Sequence, residues 1–337
     1  MKKIALITDA WHPQVNGVVR VTDAIRALLL ERGYEVLLIE PSAFTSVPLP
    51  LYREIRLSLL PGRKVARLLD DFNPDAIHSM TEGSLGFAAR RYCLRRNIPF
   101  TSWYHSHFHF YISMRVPGVL GLVMRNVRRF HNAAARTFVS TGGLRQELTE
   151  KGFTKLAVVP LGVDVNLFKR NLAPAVPPMQ KPVYVFFSRL AVEKSPEEFL
   201  RLQLEGTKLV IGDGPDAKKL QKKYPDAMFV GYKKGQELVG YLSAADVMVF
   251  PSRTETFGLA ALEALACGVP VAAHNVLGPR DIITEGVDGY LSDNLAEAAK
   301  KCLTLDRESC RQKALKYSWE NSVDAFLKNL APVEHKS

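Results

Sequence analysis

Two carboxylates stand near the ends of the apolar stretch "TETFGLAALEALACGVP", residues 254–270. Glu255 precedes Phe257 and Gly258, which indicate a loop that enters a helix, and Glu263 falls on the second turn of that helix. The spacing Glu255-x7-Glu263 is about two turns at roughly 3.6 residues per turn, so one continuous helix would hold both on one face. Carboxylates so placed suit ligand hydroxyl groups: those of a ribose for Glu263, and those of an attached sugar for Glu255.

Two further stretches supply cations and a glycine turn. "FSRLAVEKS" contains Arg189 and Lys194, and "VIGDGPD" contains Gly212, Asp213 and Gly214. Both stretches, like "PSRTETFGLAALE", follow a predicted strand, so all three lie at the carboxyl edge of one sheet. Cations pair with phosphate oxygens, and the free N–H groups at a helix N-terminus donate to anions. Together these features predict a diphosphate site. Taken one at a time, each feature has a common structural explanation: Arg189 and Lys194 as surface charges, the glycine pair as a tight turn, and Glu263 as a buried, capped acid.

The elements that must position these residues follow a repeated pattern. In the first half, short apolar runs such as "KIALIT" and "YEVLLIEP" alternate with amphipathic helical segments such as "VVRVTDAIRALLLERG". Strands separated by helices are typical of parallel βαβ units and therefore of a doubly wound α/β sheet. After the proline-rich stretch "NLAPAVPPMQKP" the alternation restarts with "VYVFFSRL", "KLVIGDG", "MFVGYK", "VMVFPS", "PVAAH" and "GYLS".

This organisation predicts two Rossmann-like domains that face a central cleft, because ligands of open parallel sheets bind beyond the carboxyl ends of the strands. The first domain is expected to span residues 1–170, a linker 171–182 and the second domain 183–315. A last helix within 316–337 is expected to return towards the first domain.

Bulk composition narrows the choice of partner. The chain of 337 residues carries a net charge of +11, and residues 1–170 hold all of it, with 24 basic against 13 acidic residues. A field polarised in this way points to an acidic partner, whereas simple solubility is the alternative. No long apolar run predicts a membrane-spanning helix, and the N-terminal apolar stretch is shorter than a signal peptide requires. The four cysteines have no C-x-x-C spacing, which favours reduced thiols in a cytosol.

Several motifs in order resemble the retaining glycosyltransferases of the GT-B fold, specifically family 4. The pattern Glu255-x7-Glu263 followed by "ALACGVPVAA" is the family's hallmark, and Arg189 and Lys194 match its basic pair. The "IGDGP" turn and the N-terminal "HPQVNGVV" loop are similar to further family motifs. "IHSMTEGSLG" and "SWYHSHFHFY" resemble the subgroup of GDP-mannose-dependent α-mannosyltransferases and sulfolipid-synthase-like members.

The resemblance assigns roles to individual residues. It implies that Arg189 and Lys194 hold the diphosphate, that Glu263 binds the ribose and that Glu255 contacts the donor sugar. The other donor-binding positions that it implies are Gly17, Gly212, Asp213, Gly214, Thr256, Phe257, Gly258 and Leu259. It implies that His105 faces the anomeric centre and, with Glu255, Arg189 and Lys194, forms the catalytic group. The acceptor side comprises Asn16, Tyr104, His105 and His107.

The charges imply how the reaction proceeds. Breaking the sugar–phosphate bond places negative charge on the leaving diphosphate, which prepositioned cations stabilise. No D-x-D motif occurs, so we expect Arg189 and Lys194 to take the place of a metal and predict that the enzyme has no metal or other cofactor. The resemblance implies retention of configuration, and front-face attack by the acceptor is favoured since the first domain offers no obvious carboxylate nucleophile.

Alternating histidines leave one alternative open. In "WYHSHFHF", His105, His107 and His109 would share one face of a strand and could form a metal site. The chain is expected to leave the strand near His105, which disfavours that site. Many family members carry Arg or Asn at the position of His107, so the acceptor is not determined by the resemblance.

Basic residues beside apolar ones indicate a membrane surface. One helix carries Arg90, Arg91, Arg95 and Arg96, and Arg125, Arg128 and Arg129 follow "VPGVLGLVM". Such helices suit a cytoplasmic protein that docks peripherally on the inner, anionic face of a membrane and reaches a lipid or glycan acceptor. An ordinary amphipathic helix packed on its own core is the alternative.

Other functions remain open to different degrees. A UDP-sugar-dependent transferase or a nucleotide-sugar 2-epimerase would use the same architecture. A phosphorylase would need a pyridoxal lysine and a longer chain. A nucleic-acid-binding module is disfavoured because no recognised motif accompanies the basic residues. A dinucleotide oxidoreductase is disfavoured because no G-x-G-x-x-G follows the first strand.

Overall fold

The structure is a computed structural model, and it describes residues 1–14, 16–49, 52–105, 120–171 and 175–334. The chain forms two compact units, one of Met1–Pro160 with Trp319–Ser337 and the other of Leu161–Ser318. This division lies upstream of residue 170, where the sequence pattern ends the first domain. The described part of the segment 171–182 contains no helix or strand.

The first unit is built on a six-stranded parallel sheet with the strand order β2-β1-β5-β6-β7-β8. Its central strands are almost wholly buried, polar side chains included, because helices cover both faces of a parallel sheet. Ile4 to Ile7 of β1 are fully buried, for example. The strands of this unit are β1 (Lys3–Ile7), β2 (Glu35–Ile39), β3 (Ser46–Leu49), β4 (Tyr52–Ser58), β5 (Ala76–Ser79), β6 (Thr101–Trp103), β7 (Arg136–Val139) and β8 (Leu156–Val158).

Strands β3 and β4 pair antiparallel outside the main sheet, an element that the βαβ pattern does not predict. The helices of the unit that precede Pro160 are α1 (Gly17–Glu31), α2 (Gly62–Phe72), α3 (Ser84–Arg96), α4 (Leu120–Asn132) and α5 (Gly142–Glu150).

The second unit repeats the architecture with the strand order β11-β10-β9-β12-β13-β14, again entirely parallel. Its strands are β9 (Val183–Phe187), β10 (Thr207–Ile211), β11 (Met228–Gly231), β12 (Val247–Phe250), β13 (Val271–Ala273) and β14 (Gly289–Leu291). Its helices are α6 (Pro196–Arg201), α7 (Ala217–Lys223), α8 (Gly235–Ala244), α9 (Leu259–Ala266), α10 (Pro279–Ile282), α11 (Leu295–Cys302) and α12 (Arg307–Ala314). The predicted pair of Rossmann-like α/β sheets is therefore confirmed.

The last helix, α13 (Trp319–Asn329), belongs to the first unit. Arg32, which follows α1, donates a hydrogen bond to Asp324 at 2.5 Å. The buried Phe326 packs its ring on His78 and Trp103. The N–H of Val333 then donates to Asp75 O at 2.7 Å. The C-terminal segment thus completes the core of the unit that contains the N-terminus.

No helix in the described ranges is both long and apolar enough to span a bilayer. In the same ranges, no group of three or more His, Cys, Asp or Glu residues is arranged to hold a metal ion.

Candidate active site

The second unit gathers the predicted donor residues at one edge of its sheet. Arg189 and Lys194 follow β9, Gly212 follows β10, and Glu255 follows β12. These strands are neighbours in the order β10-β9-β12, and all are parallel. Their carboxyl ends therefore share one edge, so the three loops are adjacent.

The cation and the carboxylate at this edge contact each other directly. Lys194 Nζ lies 2.6 Å from Glu255 Oε1, and the two side chains are 21% and 12% exposed. A pair that is mostly buried feels less solvent screening than a surface ion pair does. The ammonium of Lys194 and the carboxylate of Glu255 are thus held at one point of the edge.

Glu193, which the sequence analysis did not single out, stabilises this arrangement. Its carboxylate Oε1 lies 3.7 Å from Arg189 Nη1, and the side chain is 8% exposed. Its backbone carbonyl accepts hydrogen bonds from Ser252 Oγ at 3.2 Å and from Thr254 Oγ1 at 3.3 Å. Glu193 therefore ties the cation loop after β9 to the carboxylate loop after β12. The signal for it was present in the quoted "AVEKS", as an acidic residue between two cations.

The glycine turn after β10 is required by close backbone packing. Gly212 has a φ of 144°, and a Cβ at this position would lie 2.0 Å from Ser188 O. At Gly214 a Cβ would lie 2.4 Å from Leu190 O. The exposed Asp213 accepts a hydrogen bond from Gly214 N at 2.7 Å, so its carboxylate closes the turn. The turn holds the β9 and β10 loops together and leaves no room for side chains.

Helix α9 begins at the same edge. Gly258, with a φ of 107°, precedes Leu259, and no side chain caps this helix end. Thr256 and Phe257 are buried in the loop before it, and Glu263 lies buried on the second turn of the helix. The helix N-terminus, whose N–H groups carry partial positive charge, therefore lies at the same sheet edge as the cations.

Two of the predicted acceptor-side residues of the first unit, Asn16 and Tyr104, make structural contacts within that unit. Asn16 caps the N-terminus of α1, since its Oδ1 accepts a hydrogen bond from Val19 N at 3.0 Å. Gly17 is the first residue of this helix. Tyr104 is 1% exposed and packs its ring on His131 and Phe153. The amide of Asn16 and the ring of Tyr104 are thus engaged within the unit. His107 lies outside the described residues, as does His109.

His105 follows β6 and is held in a neutral form. Its ring stacks on Trp103 with a centroid distance of 4.8 Å. Desolvation, with a smaller contribution from nearby His131, lowers the pKa of His105 to about 3. The imidazole at this position therefore carries no charge at neutral pH and can offer hydrogen bonds only.

The carboxylate of Asp9, at the end of β1, organises the same sheet edge. It accepts hydrogen bonds from Thr81 Oγ1, Ser84 Oγ and Leu85 N at 2.9 Å and from Gly86 N at 3.3 Å. Burial raises the pKa of Asp9, and these hydrogen bonds oppose the rise. Asp9 thus anchors the N-terminus of α3. Glycine is required beside it, since a Cβ at Gly83 would lie 2.4 Å from Asp9 Cγ.

Two family models match consecutive parts of the chain. "Glycosyltransferase Family 4" matches residues 15–167, and "Glycosyl transferases group 1" matches residues 169–317. A GDP-mannose-dependent alpha-mannosyltransferase of Corynebacterium glutamicum is 30% identical over 86% of this chain and 76% of that protein. The chain belongs to glycosyltransferase family 4. This glycosyltransferase is a hexosyltransferase that uses a nucleotide sugar.

Other relatives and solved structures agree with this family. The GDP-mannose-dependent alpha-mannosyltransferase of Mycobacterium tuberculosis is 29% identical over 86% of this chain and 83% of that protein. Among solved structures, the sucrose-phosphate synthase of Thermosynechococcus elongatus has a TM-score of 0.74 at 20% identity, covering 97% of this chain and 98% of its own. Anabaena HepE, solved with UDP and glucose, has a TM-score of 0.72 at 16% identity, and the match covers 97% of this chain and 99% of HepE. The predicted family and GT-B fold are confirmed.

Gly278 lies beside the candidate site, and the motifs did not reveal it. It precedes α10 with a φ of 85°, and a Cβ there would lie 2.8 Å from Phe257 O and 2.9 Å from Glu255 Cβ. The absence of a side chain at Gly278 therefore lets the Glu255 loop take its position. The only signal in the sequence was the glycine–proline pair, which is common in turns.

We expect Gly278→Ala to lower the free energy of unfolding by about 2 kcal/mol and to reduce sugar transfer at least tenfold, because positive φ and the clash both oppose the substitution. Gly286→Ala is the matched control, since Gly286 has a φ of 76° and its nearest contact is Tyr290 Oη at 3.9 Å. It should lose about 1 kcal/mol and retain transfer. Chemical denaturation and initial rates measure both effects, and equal losses of activity in the two variants would contradict the role of Gly278.

Proposed function

We propose that this enzyme transfers mannose from GDP-mannose to a lipid or glycan acceptor at a membrane surface, with retention of configuration and without a metal ion. The observation that carries the proposal is the group at the edge of the second sheet: Arg189, the Lys194–Glu255 pair and the N-terminus of α9. Positive and negative groups held together in this way match an anionic diphosphate joined to a polyhydroxylated sugar.

The leaving group is the part of the substrate that most needs stabilisation. As the sugar–phosphate bond breaks, Lys194 and Arg189 offset the charge that develops on the diphosphate, with the partial positive charge of the α9 N-terminus. Removing one such donor from an enzyme typically costs about 3 kcal/mol of transition-state stabilisation. In this proposal Glu263 holds ribose hydroxyls and Glu255 holds sugar hydroxyls. Retention follows if the acceptor attacks the face from which the diphosphate leaves.

The proposal of GDP-mannose as the donor rests on the names of similar proteins. The relatives from Corynebacterium glutamicum and Mycobacterium tuberculosis are named GDP-mannose-dependent alpha-mannosyltransferases. A sulfoquinovosyl transferase of Arabidopsis thaliana is also 32% identical over 81% of this chain, although the aligned part spans 60% of that protein. HepE was solved with UDP and glucose. A UDP-sugar is therefore the second candidate donor.

A panel of GDP-mannose, UDP-glucose, UDP-galactose and UDP-GlcNAc tests the donor. The true donor should raise the melting temperature of the protein most, because ligands that bind the native state stabilise it. We expect the largest rise with GDP-mannose, and its hydrolysis or transfer should continue in EDTA. A larger rise with a UDP-sugar would overturn the mannose assignment. Activity that is lost in EDTA and restored by manganese would overturn metal independence.

The membrane part of the proposal rests on exposed arginines and apolar side chains of α3 and α4. Phe87, Leu94 and Leu122 are exposed. The rings of Phe87 and Phe130 are 5.0 Å apart, so the two helices are neighbours. Exposed apolar side chains beside cations suit insertion among anionic headgroups. We propose this surface as the contact with the cytoplasmic leaflet.

The seven arginines of these helices are not equivalent. Arg96 forms a two-point contact with Asp70, at 2.6 Å and 2.9 Å. Arg128 donates to Lys151 O at 3.0 Å. Arg125 and Arg129 are exposed on the outer face of α4 together with Leu122. Arg125 and Arg129 are thus the arginines of α4 best placed to meet lipid headgroups.

The double variant Arg125→Glu/Arg129→Glu should therefore sediment with anionic vesicles at least tenfold less than the unmodified protein, since each basic residue near such a surface contributes about 1 kcal/mol. Lys218→Glu/Lys219→Glu on α7 has the same charge change in the second unit and should bind as the unmodified protein does. Vesicles of phosphatidylserine and phosphatidylcholine at low salt provide the assay. An equal loss in both variants would indicate a general charge effect and no docking surface.

A further inference from the structure

Glu82 is a carboxylate of the first unit to which no role has been given above. It follows β5, the strand between β1 and β6 in the sheet order. Asn16 lies in the segment after β1, and His105 follows β6. Glu82 therefore lies at the carboxyl edge of the sheet, between the two segments that hold the proposed acceptor-side residues.

Few donors in the protein serve this carboxylate. Its side chain is 17% exposed, and its Oε2 lies 3.9 Å from His131 Nε2. Within the described ranges no side chain donates a hydrogen bond to it, and the hydrogen bond from its own backbone N–H partly lowers its pKa. Asp9, which is close by, has four donors in comparison. A nearly buried carboxylate with so few donors is energetically unfavourable unless a proton or a ligand satisfies it.

The hydrogen bonds around His131 determine whether its Nε2, the atom nearest Glu82, carries a hydrogen. Thr137 Oγ1 donates its one hydrogen to His131 O at 3.1 Å. Towards Ser102 Oγ, which lies 3.1 Å away, Thr137 Oγ1 can therefore only be the acceptor. Ser102 Oγ then accepts from His131 Nδ1 at 2.9 Å. Since this assignment places the proton on Nδ1, Nε2 presents a lone pair to Glu82. His131 Nε2 is thus an acceptor towards a neutral Glu82, and it has no hydrogen to donate to an ionised Glu82.

We infer that Glu82 is an acceptor-binding residue whose ionised carboxylate takes hydrogen bonds from hydroxyl groups of a sugar or polyol acceptor. The inference rests on the proposed function and deepens it by naming the hydroxyl-bearing part of the acceptor that the first unit contacts. Hydroxyl groups supply the donors that the protein itself does not provide. The bound acceptor therefore favours the ionised form of Glu82, and protonation of Glu82 weakens binding.

The surroundings of Glu82 define the pH range of this effect. Burial raises the pKa of Glu82 to about 7, and the negative charge of Asp9 adds to the rise. The titratable groups that face it in the described ranges are Asp9 beyond β1 and His131 on α4, and His105 lies next to His131. Desolvation lowers the pKa of His131 to about 3. The titration near neutral pH therefore belongs to Glu82.

Binding of n-octyl α-D-mannopyranoside, followed by ligand-observed NMR without donor, tests the inference independently of turnover. We expect Glu82→Gln to weaken binding tenfold to a hundredfold at pH 8, because hydrogen bonds to a charged group are strong. Affinity should fall below pH 7 in the unmodified protein and be independent of pH in Glu82→Gln. Glu82→Asp should keep the pH dependence with weaker binding. Glu31→Gln, an exposed substitution on α1, should behave as the unmodified protein.

Kinetics separate this inference from the proposed function. With GDP-mannose, Glu82→Gln should raise the KM for the octyl mannoside while donor hydrolysis without acceptor stays unchanged. Equal binding of the probe by unmodified protein and Glu82→Gln, including no binding by either, overturns the role of Glu82. Absence of hydrolysis and transfer for every donor of the panel overturns the proposed function, whatever the NMR result.

Discussion

Glu255→Gln is expected to bind the free nucleoside diphosphate more tightly, by roughly tenfold to thirtyfold, and yet to transfer sugar about a hundredfold more slowly. Glu255 Oε1 holds Lys194 Nζ at 2.6 Å. A diphosphate that recruits Lys194 must compete with this carboxylate and is repelled by its charge. At about 6 Å, with an effective dielectric constant of about 20, that repulsion is about 3 kcal/mol before screening. Glutamine removes it.

The slower transfer has a different cause. In the nucleotide sugar, Glu255 is proposed to hold hydroxyls of the sugar, and an amide accepts hydrogen bonds less strongly than a carboxylate does. The loss should therefore appear in kcat with the nucleotide sugar, whereas the Kd of GDP decreases. Opposite signs in one variant distinguish a functional pair from a purely structural salt bridge, because loss of a structural pair would weaken both properties.

Calorimetry with GDP and initial rates with GDP-mannose measure the two effects. Lys194→Ala should weaken GDP binding, because it removes the ammonium that is proposed to bind the diphosphate. Glu205→Gln changes the same charge at an exposed position of the second unit and should change neither quantity. Weaker binding of GDP by Glu255→Gln than by the unmodified protein would contradict the proposal that Glu255 competes with the diphosphate for Lys194.

The sheet edges could be predicted from the sequence because strand alternation and strand order follow local rules. Apolar runs such as "VYVFF" and "VMVF" must be covered on both faces, which requires parallel sheets with helices on each side. Residues directly after such strands must then meet at one edge. That reasoning placed Arg189, Gly212 and Glu255 in adjacent loops, where the structure has them.

Residues that act through tertiary contacts were not accessible in the same way. Gly278 is far from Glu255 in sequence, and only the folded unit shows that a side chain there would meet Glu255 Cβ. Asp9 ends an apolar strand, but its role as the anchor of α3 depends on the pairing of β1 with β5. Tyr104 adjoins His105 in the sequence, but only the folded unit shows that its ring is buried against His131 and Phe153.

The stability of the protein should report on Glu82 directly. The pKa of its carboxyl is raised from 4.5 to about 7, chiefly by burial. A raised pKa favours the protonated form in the folded state, so its contribution is fully present below about pH 4.5 and is lost as the pH rises through about 7. Since one pKa unit corresponds to about 1.4 kcal/mol, the loss amounts to about 3 kcal/mol.

Glu82→Gln keeps the shape of the protonated carboxyl at every pH and cannot ionise. Its free energy of unfolding should therefore equal that of the unmodified protein near pH 4.5 and exceed it by about 3 kcal/mol above pH 7.5. Urea denaturation at intervals between pH 4.5 and pH 8 measures the difference, with Glu31→Gln as the exposed control. Two parallel curves would mean that the carboxylate is ionised at no cost in the folded protein. A difference that opens between pH 4.5 and 7 and shrinks when octyl mannoside is added would mean that acceptor hydroxyls stabilise the ionised carboxylate.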